Sequence, residues 1–97
     1  MTEDAGQNRE LRADFEILNQ YGIHARPAAM IVKTASRFDA DVQFEKDGNA
    51  VSGKSIMGLM TLEASRGTRI RAIVTGDDAE PLLDELRALF ERKFDEE

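Results

Sequence analysis

Apolar residues in this chain switch back and forth between two spacings, and that change of period constrains the fold more than any single motif. Leu11, Ala13, Phe15 and Ile17 recur every second residue between Arg12, Asp14 and Glu16, the pattern of a half-buried strand that Leu18 breaks at its end. After "NQYG", Ala28, Ile31, Val32 and Ala35 fall at i, i+3, i+4 and i+7, which predicts a helix with one apolar stripe. Lys33, Ser36 and Arg37 of that helix should face water. "DADVQFEKDGNAVSG" returns to period two: Val42 and Phe44 share a face, Asp47, Gly48 and Asn49 make a turn, and a short strand runs back around Ala50 and Val51.

The second half repeats the alternation. "SGKSIMGLMTLEASRG" predicts a short helix with Ile56, Leu59, Met60 and Glu63 on one stripe, Ser55 as N-cap, and Gly58 and Gly67 limiting its length. "TRIRAIVTG" points Ile70, Ala72 and Val74 inward as a fourth strand. "DDAEPLLDELRALFERKF" opens with capping aspartates and an early Pro81, then places Leu82, Leu83, Leu86, Leu89 and Phe90 on one stripe. The order is βαββαβα. A four-stranded antiparallel sheet with three helices on one face, an open-faced α+β sandwich, buries all of these stripes at once.

With 97 residues the chain is sized for one domain, expected over residues 11–97, with residues 1–10 as a disordered N-terminal extension. No apolar stretch approaches the ~20 residues that span a bilayer, and the polar opening "MTEDAGQNRELRAD" lacks a secretory pattern, so the cytoplasm is the expected location. The absence of cysteine removes disulfides, thiol nucleophiles and thiolate metal ligands together. With a single histidine, no metal site and no cofactor are expected. The formal net charge of -6 disfavours a nucleic-acid partner. Proteins or small molecules are the expected partners, and a monomer the expected state.

The single histidine, His24, stands in "NQYGIHARPAA", where the first helix begins. A helix starting near Ala25 to Pro27 leaves backbone N–H groups without intrahelical acceptors at the positive end of the macrodipole, a place that attracts anions. A neutral imidazole there is a nucleophile for a phosphoryl group, and the helix terminus disfavours its protonation while stabilising the arriving phosphate. Arg26 supplies a charge-assisted contact worth about 1.5–3 kcal/mol. Gly22 lets the backbone approach closely. The plainer reading is that His24 is a polar cap, Arg26 a solvated side chain and Pro27 a helix-start signal.

"GIHARPAA" resembles the active-site motif of the HPr family, the histidine-containing phosphocarriers of the bacterial phosphoenolpyruvate-dependent phosphotransferase system. "FDADVQF" resembles that family's second strand, and "GKSIMGLMTLEA" its regulatory-serine segment; the likeness spans about residues 11–94. It implies the βαββαβα fold and a carrier rather than an enzyme. His24 would be phosphorylated on Nδ1 by enzyme I and would pass the group to an enzyme IIA protein. Arg26 and the amides of Ala25 and Arg26 would hold the phosphate, Pro27 would fix the turn, and Tyr21 would only pack beside the site.

Ser55, with Lys54, Ile56, Met57 and Gly58, matches the segment modified by HPr kinase/phosphorylase, against the alternative that it is an ordinary N-cap. Ile56, Met57 and Met60 would form an apolar docking patch, Met57 being exposed in any case because the helical stripe leaves it outside. The C-terminal "ALFERKFDEE" resembles the nitrogen-related branch and the Ser55 segment the sugar branch, so the choice of enzyme IIA stays open. The competing reading is a regulatory protein-binding module controlled through Ser55, as in relatives that lack the histidine. The presence of His24 favours the carrier.

Overall fold

The computed structural model describes residues 10–96. Of the expected N-terminal extension, residues 1–9 lie outside the described residues, and Glu10 already belongs to the first strand. The elements follow the expected order: β1 (Glu10–Glu16), α1 (Ala25–Ala35), β2 (Asp41–Lys46), β3 (Asn49–Ser52), α2 (Ile56–Thr61), β4 (Arg69–Thr75) and α3 (Ala79–Glu91). A short 3-10 turn, Lys93–Asp95, follows α3 and was not expected.

The strands form one antiparallel sheet in the order β1-β4-β2-β3. Register puts the predicted inward residues opposite one another: Phe15 faces Ile70, Ala13 faces Ala72, and Leu11 faces Val74, while Val42 and Phe44 lie against Val74 and Ala72 on the other side. The β2–β3 turn takes positive φ at Asp47 and Gly48, the backbone that matches the twist of a tight hairpin. The helices cover the apolar face. Ile31 and Ala35 of α1, Leu59 of α2, and Leu82, Leu86 and Leu89 of α3 are all buried there.

Two expectations about the helices are corrected. In α2 only Leu59 of the predicted stripe is buried; Ile56 and Met60 are exposed, and Glu63 lies beyond the helix with φ 52. A six-residue helix makes fewer than two turns, and Leu59, with Leu62 just after it, fills the core beneath. At α3, Asp78 is the N-cap residue but its side chain does not cap. Its Oδ2 accepts the N–H of Asp39 at 2.7 Å, and its own N–H donates to the Asp39 carbonyl at 3.1 Å. That reciprocal pair ties the α1–β2 connection to the β4–α3 connection.

Beyond α3, Phe94 follows Phe90 by four residues in a left-handed turn and is buried. Its ring meets Phe90 edge-on at 4.9 Å, and Phe90 stacks on Phe15 at 4.7 Å, so the chain end is anchored in the core. Phe94→Ala should cost about 3–5 kcal/mol, read as a lowered urea midpoint with little change in slope.

Gly22 has φ +70, and a Cβ there would run into the Ala64 carbonyl oxygen. Gly22→Ala meets both the left-handed penalty, about 1–2 kcal/mol, and that clash. Its melting temperature should fall by at least several degrees, since ~1 kcal/mol shifts a domain of this size by roughly 4–8 °C.

Candidate functional site

Two connections meet where α1 begins. The N–H of Ile23 donates to the carbonyl of Ala64 at 3.0 Å, joining the β1–α1 turn to the loop after α2. On the α2 side, the ammonium of Lys46 donates to the carbonyls of Leu62 and Glu63 at 3.1 and 3.3 Å, which caps the helix C-terminus and holds Glu63 in its left-handed conformation. Tyr21, Ile23 and His24 border a shallow depression with Glu63, Ala64 and Ser65.

His24 is the N-cap residue of α1, with extended backbone; its carbonyl accepts the N–H of Ala28 at 3.0 Å. The amides of Ala25 and Arg26 occupy the first turn, where no intrahelical acceptor exists, and Pro27, third in the helix, has no N–H to satisfy. The imidazole makes no capping bond. The ring points instead to the chain end, with Nε2 at 3.2 and 3.0 Å from the two carboxylate oxygens of Glu96. Among the described residues, Nδ1 has no hydrogen-bond partner.

Arg26 turns the same way. Its Nη1 donates to the Phe94 carbonyl at 3.0 Å and to Glu96 Oε2 at 3.1 Å. Arg26 is therefore engaged with acceptors of its own chain while more than half of its side chain stays open to solvent. Asn19, fully buried, donates its Nδ2 to the Gly22 carbonyl at 2.8 Å and to Glu96 Oε1 at 3.1 Å. The Glu96 carboxylate thus accepts from His24, Arg26 and Asn19 together, and only 17% of its side chain is exposed.

Burial pushes the Glu96 carboxyl up, but the hydrogen bonds from His24, Asn19 and Arg26 and the charge attraction of His24 outweigh it, so its pKa lies below the ordinary value. A carboxyl with a depressed folded pKa contributes stability above its unfolded pKa and loses it as pH falls through the folded one. The contribution of Glu96 is accordingly present at neutral pH and is lost as pH falls through its lowered folded pKa.

Of the expected site residues, His24, Ala25 and Arg26 come together. Tyr21 reaches His24 only with a ring edge, centroids 6.4 Å apart, and is otherwise open to solvent at 72% exposure, so its packing role is slight. Ser55 lies outside this network: its hydroxyl accepts the N–H of Gly58 at 2.9 Å as the N-cap of α2. Ile56, Met57 and Met60 are exposed on that helix, Met57 the most.

Glu96, Asn19 and Phe94 were not anticipated as parts of the site. Phe94 had a readable signal, four residues after Phe90 on the α3 stripe. No spacing rule links residue 96 to residue 24, and "DEE" reads as a solvated charge run.

A family model described as the PTS HPr component phosphorylation site matches residues 11–92. The phosphocarrier protein HPr of Treponema pallidum is 44% identical over 81 residues, 84% of this chain and 92% of that protein. The HPr-like protein Crh of Bacillus subtilis is 48% identical over 73 residues, 75% of this chain and 86% of that protein. Among solved structures, HPr-C-His from Thermoanaerobacter tengcongensis superposes with a TM-score of 0.85 at 45% identity, covering 90% of this chain and 98% of that one. The matched span takes in the strand, the helix start and the histidine whose surroundings are described above, and the chain belongs to the HPr family, the histidine phosphocarriers of the phosphotransferase system.

Proposed function

We propose that His24 is the residue that carries the phosphoryl group, taking it on Nδ1 from phospho-enzyme I and giving it to an enzyme IIA protein. The observation that carries this reading is the Glu96 carboxylate between His24 and Arg26: the start of α1 already holds an anion against the imidazole and the guanidinium. A phosphoryl group on Nδ1 would draw on the same Arg26 and on the first-turn amides of Ala25 and Arg26. Each cycle returns the ring to its starting state, so the chain acts as a stoichiometric intermediate, not as an enzyme.

In this reading residues 11–97 work as one unit in the cytoplasm, as a monomer. Partners dock on the exposed apolar side chains of α2, Ile56, Met57 and Met60. Unbranched methionines on a surface adapt to several partners in turn. Ser55 at the start of that helix is the regulatory position: modification by HPr kinase/phosphorylase would add about -1.5 to -2 charges at the edge of the patch. A purely regulatory module working through Ser55 leaves His24, Arg26 and their shared carboxylate unused, which favours the carrier.

Intact-mass analysis after incubation with phosphoenolpyruvate and purified enzyme I should show one added acid-labile phosphoryl group on the wild type and none on His24→Ala. No gain by the wild type, with an enzyme I active on another carrier, would overturn the reading. Arg26→Ala should accept the group roughly tenfold to hundredfold more slowly, the loss of a charge-assisted bond of about 1.5–3 kcal/mol. Ser55→Asp should weaken phosphoryl transfer through a raised KM for enzyme I; an unchanged KM would remove Ser55 from the docking edge.

A further inference from the structure

Glu96 marks where an anion sits beside His24 and Arg26, and the backbone leading to it is unusual. Lys93, Phe94 and Asp95 all have positive φ, at 58, 55 and 60 degrees. None is glycine, and side chains seldom adopt that backbone region; such runs persist where the surroundings fix them, and they cluster at functional sites. Here the fixing contacts are visible: Phe94 is buried against Phe90, and its carbonyl receives Arg26. One residue later the Glu96 carboxylate is held from two further sides, by Arg26 and by the buried Asn19. Its remaining contact is His24 Nε2.

A carboxylate only accepts hydrogen bonds, so a neutral His24 must carry its proton on Nε2 to bond there, and the lone pair is then on Nδ1. Nδ1 is the nitrogen with no hydrogen-bond partner among the described residues. We propose that Glu96 is a positioning residue for phosphoryl transfer: it holds His24 as the Nε2–H tautomer and thereby presents Nδ1 to the incoming phosphorus. The assignment rests on the reading of His24 as the acceptor.

The step balances without further groups. The Nδ1 lone pair forms the N–P bond while the bond from phosphorus to the donor's leaving atom breaks, its electron pair staying on the donor. No proton leaves His24. The ring gains positive charge as its lone pair is shared, and the proton on Nε2 points that charge at the Glu96 carboxylate, as the aspartate does for the histidine of a catalytic triad.

The test is long-range 1H–15N correlation on the uniformly labelled full chain, at a pH where the ring is neutral, for wild type and Glu96→Ala. Wild type should show the Nε2–H tautomer, and E96A should shift the tautomer ratio toward Nδ1–H by about tenfold, the equivalent of losing one charge-assisted bond. Backbone amide shifts away from residues 19–26 and 92–97 should be unchanged, which separates this effect from misfolding. With phosphoenolpyruvate and enzyme I, E96A should lose about tenfold in kcat at unchanged KM.

Wild-type His24 in the Nδ1–H form, or a tautomer ratio and a rate both indifferent to E96A, would overturn the assignment while leaving His24 the acceptor. An E96A chain phosphorylated faster than wild type would make the carboxylate an obstruction and would overturn it as well. A wild type that takes up no phosphoryl group defeats the reading beneath it, and the tautomer measurement, which needs no phosphorylation, tells that failure apart.

Discussion

At the His24 end of the molecule two backbones pass so closely that only glycine fits between them, and the rest of the site depends on that passage. The Ile23 to Ala64 hydrogen bond, 3.0 Å long, locks the turn before α1 to the loop after α2. Gly22 allows it by leaving out a Cβ that would strike the Ala64 oxygen. With the turn locked, α1 starts on His24 and aims its first amides outward, and Asn19 can reach both the Gly22 carbonyl and the chain end. Lys46 does the matching work on the other loop by holding the carbonyls of Leu62 and Glu63.

The electrostatics suit a group that must be given up as readily as it is taken. His24 and Arg26 are partly exposed, with 39% and 54% of their side chains open to solvent, so solvent screens the Arg26–Glu96 ion pair and weakens the His24–Glu96 hydrogen bond. A deeply buried cation would hold a phosphoryl dianion too strongly to pass it on, because opposite charges attract far more in a low dielectric. Arg26 instead meets a fixed carbonyl and a carboxylate through Nη1 alone, and the rest of its guanidinium fork can meet a phosphoryl oxygen while Glu96 stays in place.

Most of the fold was legible because its signals are local. Alternation in "LRADFEI", "DVQF" and "RIRAIV" and the five-residue stripe of α3 each lie within one element, and the sheet register then follows from which face is apolar. His24, Ala25 and Arg26 were legible for the same reason, sharing one helix start. Misreadings occurred where tertiary context decides. Ile56 and Met60 fit a buried stripe by spacing, but the space beneath α2 is filled by Leu59 and Leu62. Asp78 has the residue type of a cap, but the backbone of Asp39 claims its carboxylate. Glu96 is the extreme case, since its whole significance lies in contacts with residues 19, 24 and 26.

The strand order has a consequence for how such a chain is made. β1 pairs with β4 and not with its sequence neighbour, so Glu10–Glu16 waits for Arg69–Thr75 before its ladder can form. On a ribosome the first strand emerges long before its partner, and closing so distant a pairing costs chain entropy before any contact repays it. The hairpin of β2 and β3 forms locally meanwhile, but half the sheet must stay open. The His24 end is completed later still, when Phe94 enters the core. A nascent or prematurely terminated chain would carry the whole "GIHARP" motif and yet lack the surroundings that turn the ring of His24, so synthesis itself orders competence after folding.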